Sequence, residues 1–194
     1  LMMLWITPLR ALTNDIRKAM QEVCDEIGIP WKIGTRTGDT PAAEKQALKK
    51  KLPEVLLTTP ESLHLMMAQK EYPKIFSQLQ VVVIDEWHEL LGTKRGVQVE
   101  LGLSRLKALS LKPEVGSLKS EVESRKFEGK GLRLKIWGIS ATIGNLEQAS
   151  EVLLGNNFPK EQVKMVRAFI DKKLVIKSVI PENIESYSWS GHIG

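Results

Sequence analysis

The segment Val81–Leu90, VVVIDEWHEL, holds the most reactive grouping in the chain. Four branched apolar residues, Val81–Ile84, are followed at once by two carboxylates, Asp85 and Glu86. A carboxylate at the carboxyl end of a central strand suits holding Mg²⁺ through water, and a neighbouring one suits polarising a water for attack on a phosphate. Successive strand side chains point to opposite faces, yet a chain that turns at its strand end can aim both at one site. A solvated loop after a core strand also accounts for so short a pattern. His88 lies between Glu86 and Glu89, but no second histidine stands four residues away, so the spacing is not that of a zincin helix.

Three threonine-proline steps form a second grouping: Thr7-Pro8, Thr40-Pro41 and Thr59-Pro60. The first and last follow apolar runs directly. The middle one follows a run ending near Thr35, after the turn Arg36-Thr37-Gly38-Asp39. All three open a helical pattern. A Thr hydroxyl caps an orphan helix N–H, and Pro is favoured at the first helical position. In a parallel sheet such helix starts lie at the carboxyl edge of the strands, where ligands bind, and their positive ends suit phosphates. Capping alone explains any single step.

These residues need a scaffold, and the hydrophobic pattern predicts one. Apolar runs at Leu1–Ile6, Trp31–Thr35, Val55–Thr58, Val81–Ile84, Leu132–Ile139 and Val163–Phe169 read as strands. Several are continuous, as expected of strands buried on both faces of a parallel sheet. Leu9, Leu12, Ile16, Ala19, Met20, Val23 and Ile27 step by threes and fours, and Gly28 and Pro30 end the pattern. That is an amphipathic helix with Cys24 on its inner side. Further helices are expected at Ala42–Lys51, Glu61–Gln69, Gly96–Ser110 and Leu146–Leu154, with Leu63, Met66 and Met67 in the core. The alternation implies βαβ crossovers and a layered α/β domain with a mostly parallel sheet. Lys112–Gly131 breaks the rhythm and reads as an exposed insertion. Asp171–Gly194 carries one strand-like run, Lys173–Ile180, and then reads as a linker.

Composition sets the outer bounds. The chain has 194 residues, a formal charge of +5, 42% hydrophobic and 26% charged residues. This excludes a disordered or collagen-like chain. One cysteine excludes an intramolecular disulfide framework and fits a reducing cytoplasm. No apolar run reaches the roughly 18 residues of a membrane span. The mild basic charge permits a nucleic-acid partner without requiring one.

Trp87, His88, Glu89 and Leu90 extend the acidic pair to Asp-Glu-x-His, and here the sequence resembles the DExH-box helicases of superfamily two. WITPLRAL (Trp5–Leu12) is similar to their motif Ia, TRTGDT (Thr35–Thr40) to motif Ib, TTPESL (Thr58–Leu63) to motif Ic, and ISAT (Ile139–Thr142) to motif III. Five motifs in family order span roughly residues 1–150. DEWHELLGTKRGVQVELGLSRL (Asp85–Leu106), GISATIGNLEQA (Gly138–Ala149) and SWSGHIG (Ser188–Gly194) are similar to the large Lhr-type DNA helicases, most of all to their ligase-associated branch.

The resemblance implies a RecA-like lobe of an ATP-driven motor on DNA. It implies that Asp85 holds the Mg²⁺ of Mg-ATP and that Glu86 is the catalytic base. It implies that His88, Ser140 and Thr142 couple the nucleotide to the nucleic-acid track. Thr7, Pro8, Arg10, Arg36, Thr37, Gly38, Asp39, Thr59, Pro60 and Glu61 would line the grip on one strand's backbone. Such contacts position the strand and read no sequence. For Arg10 and Arg36 a solvated face is the plainer alternative. Trp87 either packs under the box or reaches the ATP or DNA as a wedge.

A phosphate loop, Gly-x-x-x-x-Gly-Lys-Ser/Thr, is absent from these residues. The resemblance places it before Leu1 and a second lobe after Gly194. The expectation is therefore a partial first lobe over residues 1–170 and the start of a linker over residues 171–194. The isolated chain should be poorly stable and unable to hydrolyse ATP, with its positive charge gathered at the carboxyl edge. Alternatives are an RNA helicase lobe, a non-catalytic phosphate-binding module, and a Mg²⁺-dependent nuclease or phosphatase. The last would need further carboxylates at other strand ends, which carry Thr and Ser. A DNA ligase or nuclease partner in repair is implied by the resemblance alone.

Overall fold

In the computed structural model, residues 1–110, 134–141, 143–155, 158–168 and 175–176 are described. Five parallel strands, β1 (Met3–Ile6), β2 (Ile33–Arg36), β3 (Val55–Thr58), β4 (Val81–Ile84) and β5 (Lys135–Gly138), pair in the order β2-β3-β1-β4-β5. The connecting helices are α1 (Arg10–Glu26), α2 (Ala42–Lys50), α3 (Pro60–Met67), α4 (Tyr72–Ile75), α5 (Trp87–Leu90), α6 (Lys94–Ser110) and α7 (Leu146–Leu154). The expected parallel α/β layering is therefore present. Because every strand runs the same way, all the strand-to-helix turns that carry the motifs fall on one edge.

The strands divide their side chains between two cores, as their alternation requires. Leu4, Ile6, Leu56, Val82 and Ile84 pack in a large core with Leu63, Met66, Trp87, Leu103, Leu106 and Leu153 from the helices. Ile33, Val55 and Leu57 form a smaller one on the opposite face, with Met3, Trp5, Ile16, Met20 and Cys24 packed against it. Two glycines set the tightest approaches. A Cβ on Gly96 would lie 2.1 Å from the Leu90 carbonyl oxygen, and one on Gly138 would lie 2.7 Å from Leu153 Cδ2.

Several expectations are corrected. Of the three Thr-Pro steps, only Thr59-Pro60 is a cap followed by a first-turn proline: Thr59 Oγ1 accepts from Ser62 N at 3.4 Å. α1 starts after Leu9, and Thr7 Oγ1 instead accepts from Leu9 N at 3.3 Å. α2 starts after Pro41, and Thr40 Oγ1 instead accepts from Thr37 N at 2.9 Å. In both, the hydroxyl is consumed by the turn before the helix.

α1 also buries less of its stripe than the pattern predicted. Leu12 is 43%, Val23 53% and Ile27 62% exposed, because the helix sits over β2 and β3 and only Ile16, Met20 and Cys24 reach the sheet. The run Val163–Phe169 is no strand over its described residues 163–168. Val166 there is 81% exposed. Among the described residues positive charge is not gathered at one edge either. Lys32 and Lys135 stand at the amino ends of β2 and β5, and Lys49 and Lys50 close α2, where they complement its dipole.

The chain divides into two compact units, Leu1–Phe158 and Pro159–Gly194. The first holds the sheet. The described part of the second holds one turn of 3-10 helix, Lys160–Gln162, and irregular backbone. The expected insertion at Lys112–Gly131 and most of the expected linker lie outside the described residues. No described helix is long and apolar enough to cross a membrane.

Candidate active site and nucleic-acid track

β4 delivers the acidic box. Val82 and Ile84 point into the large core, so Asp85 emerges on the opposite face, that of Trp5. Its amide donates to the Ile6 carbonyl at 2.8 Å, which extends the β1–β4 pairing by one step. Its carboxylate is held at both oxygens: the Trp5 indole N–H donates to Oδ2 at 3.3 Å and the Glu86 amide donates to Oδ1 at 3.0 Å.

Glu86 then reverses the chain. It has φ 49° and ψ 46°, the left-handed region, and among the described residues it is the one non-glycine with positive φ. Strain of this kind, of order 1 kcal/mol or more, persists where the surroundings over-determine it. Here it supplies the turn that puts consecutive carboxylates at one strand end.

α5 follows directly. Trp87 is 2% exposed, its amide donates to Ile139 O at 2.9 Å and its indole N–H donates to Ala149 O at 3.0 Å. Trp87 therefore packs under the box and ties it to β5 and α7. His88 faces the opposite way. Its Nδ1 lies 2.9 Å from Ser140 Oγ and 3.4 Å from Glu86 Oε2, and its Nε2 lies 3.4 Å from Glu89 Oε1. The donor in the His88–Ser140 hydrogen bond follows the imidazole tautomer. Glu86, His88 and Ser140 are thus brought together at the ends of adjacent strands. Thr142 lies outside the described residues.

The nucleic-acid candidates separate into three groups. Arg10 Nη1 lies 3.6 Å from Asp39 Oδ1 and stacks over Gly38, where a Cβ would meet it at 3.3 Å. Lys45 Nζ donates to the Gly38 carbonyl at 2.9 Å. Arg36 is half-buried, and that burial pushes its guanidinium pKa down. Arg10, exposed, and Arg36 and Lys45, half-buried, form a basic rim around one turn. Thr7, Thr37 and Thr59 are buried and spend their hydroxyls within their own turns. They and the buried Pro8 and Pro60 shape the strand-to-helix turns.

Glu61 belongs elsewhere again. Arg95 Nε donates to its Oε1 at 2.6 Å, Nη2 to Oε2 at 3.3 Å, and Nη1 to the Pro8 carbonyl at 3.0 Å. Burial alone would raise the Glu61 carboxyl, but hydrogen bonds from Arg95, its own backbone amide and Thr59 hold it below the usual carboxylate range. Arg95, Trp5 and Lys45 are the contributors that sequence reasoning did not single out. Trp5 and Arg95 stand inside the strings that carry the resemblance, so spacing showed where they are without showing what they touch.

The DEAD/DEAH box helicase family model matches residues 1–149. The chain belongs to this family. The ATP-dependent helicase Lhr-Core of Methanocaldococcus jannaschii is 32% identical over 98% of this chain and 21% of that protein. The lobe is also similar to the Mycobacterium smegmatis helicase Lhr bound to ssDNA and AMP-PNP, with a TM-score of 0.59 and 28% identity over 77% of this chain and 18% of that one. The DUF1998 helicase MrfA bound to DNA and AMPPNP gives a TM-score of 0.60 at 28% identity, over 79% of this chain and 19% of that one. The RecA-like helicase lobe is thereby shown. The chain spans about a fifth of the length of these relatives.

Proposed function

We propose that the chain is the acidic-box portion of the first motor lobe of an Lhr-type, ATP-dependent DNA helicase. One observation carries the reading: His88 bridges Glu86 at the end of β4 to Ser140 at the end of β5. A catalytic carboxylate is thereby wired to the neighbouring strand end.

In this reading Glu86 accepts the proton of the water that attacks the terminal phosphate of ATP. His88, 3.4 Å from that carboxylate, registers its change of charge and shifts its hydrogen bond with Ser140. Asp85 suits a Mg²⁺ ion held by one carboxylate, water and nucleotide phosphates, the usual manner of that cation. A single carboxylate at a strand end is a donor set that fits a metal arriving with its nucleotide. The ion would neutralise charge developing on the transferred phosphate.

The basic rim of Arg10, Arg36 and Lys45 grips the sugar-phosphate backbone, with DNA the preferred strand and RNA the second reading. Residues 1–170 form the lobe portion and residues 171–194 begin a linker. Coupling to a DNA ligase or nuclease in cytoplasmic repair is the corresponding cellular role. The test uses the full-length protein. ATP hydrolysis should be stimulated by single-stranded DNA more than by RNA at matched salt. No stimulation by either strand would overturn the reading.

A further inference from the structure

Arg95 occupies a junction that the catalytic reading leaves unused. It is the second residue of α6, the helix that follows the acidic box. The box fixes this helix in two ways. Thr93 Oγ1 accepts from Gly96 N at 3.1 Å and donates to Leu90 O at 2.7 Å, so the last residue of α5 and the first turn of α6 share one hydroxyl. Gly96 also lies against the Leu90 carbonyl, closer than any side chain would allow. From that anchored turn the guanidinium reaches across to two other strand-to-helix turns at once. It takes both carboxylate oxygens of Glu61 in the first turn of α3 and the carbonyl of Pro8 in the turn between β1 and α1.

We infer that Arg95 is a positioning residue that sets the spacing between the two backbone-gripping turns and fastens both to the box segment. The inference rests on the proposed action on single-stranded nucleic acid. Three features support it. The side-on, two-oxygen pairing fixes direction as well as distance, which a lysine cannot do. The Pro8 carbonyl belongs to one turn and Glu61 to the other, so a single planar group measures the gap between them. The pair is also more than a third exposed, Arg95 36% and Glu61 39%. Solvent-exposed pairs add little to stability, so geometry is the better account of this one.

The test uses the full-length protein, with ATP hydrolysis followed against single-stranded DNA concentration for Arg95→Met, Arg95→Lys, Glu61→Gln and the Arg95→Met/Glu61→Gln pair. The expected result for Arg95→Met is a roughly tenfold rise in the DNA concentration giving half-maximal stimulation, with kcat at saturating DNA and the KM for ATP within about twofold of wild type. Arg95→Lys should fall between the two, and the double variant should be no worse than Arg95→Met alone. If Arg95→Met does not fold, Arg95→Lys carries the same reading, because it keeps charge and stem and loses only the fork. An unchanged DNA dependence in Arg95→Lys, a rate loss equal at every DNA concentration, or additive losses in the double variant would each overturn the inference. A wild-type protein without DNA stimulation would instead sink the proposed function.

Discussion

Glu86 is a carboxylate in a backbone conformation that side chains rarely adopt. Its neighbours explain why it stays there: its amide is held by Asp85 Oδ1 and the next amide by Ile139 O. Glu86→Gln keeps the shape and removes the proposed base. In the full-length protein it should abolish ATP turnover while leaving nucleotide binding within a few-fold of wild type, measured by equilibrium titration. Ser140→Ala removes the partner of His88 and leaves Glu86 in place. ATP hydrolysis should persist while strand separation per ATP falls, measured by running both assays on one preparation. Glu61 gives a pH signature. Its folded pKa is lowered, so its contribution to stability is complete above the unfolded value of about 4.3 and is lost as pH falls through the folded value. The gap in unfolding midpoint between wild type and Arg95→Met should therefore narrow as pH falls below about 4.3. At this scale the sequence was informative about residue types. Asp85 and Glu86 could be named from their place after an apolar run, His88 and Ser140 from the family resemblance, and three of the four meet. The Arg95–Glu61 contact spans 34 residues, and no periodicity reports a contact of that kind.

Elements were legible where continuous apolar runs met strong stops. β3, β4 and α7 have the bounds that pattern predicted, and α7 opens on Asn145, whose side chain accepts from Gln148 N at 3.1 Å. The Thr-Pro starts were misread at two of three places because a hydroxyl can satisfy a turn amide as readily as a helix amide. The choice is made by tertiary contacts such as Thr7 N to Thr58 O at 3.0 Å. The junction of α5 with α6 was also invisible, since Gly96 reads as an ordinary helical glycine. Its contact with Leu90 makes Gly96→Ala an overpacking change, expected to cost about 2–3 kcal/mol and to lower the urea midpoint. Thr59→Ala, which removes the true cap of α3, should cost about 1 kcal/mol in the same experiment.

At the scale of the molecule, the described elements bury one face of the sheet more completely than the other. The large core closes over α3, α6 and α7, while Trp137 is 52% and Ile139 41% exposed and the flank of α1 carries bare Leu12, Val23 and Ile27. Apolar surface of this kind favours association. The 194-residue chain studied alone should bind a hydrophobic dye and melt without a sharp transition, a result read by fluorescence and calorimetry. It should also show no DNA-stimulated ATP turnover, since the sequence carries no phosphate loop. Composition had suggested an ordinary globular domain, because bulk percentages do not record which faces meet.

The place of β5 has a kinetic meaning. β5, like β2, is an edge strand with a single partner, and its pairing with β4 waits for the chain from Ile84 to Lys135 to close on itself. Non-local parallel pairings form slowly. The hydrogen bond between His88 and Ser140 therefore exists only in molecules that have completed this late step, so a chain arrested short of it displays the acidic box without its coupling partner. The proposed coupling contact then doubles as a checkpoint on folding, and pulse-labelled hydrogen exchange should find the β5 amides among the last to gain protection.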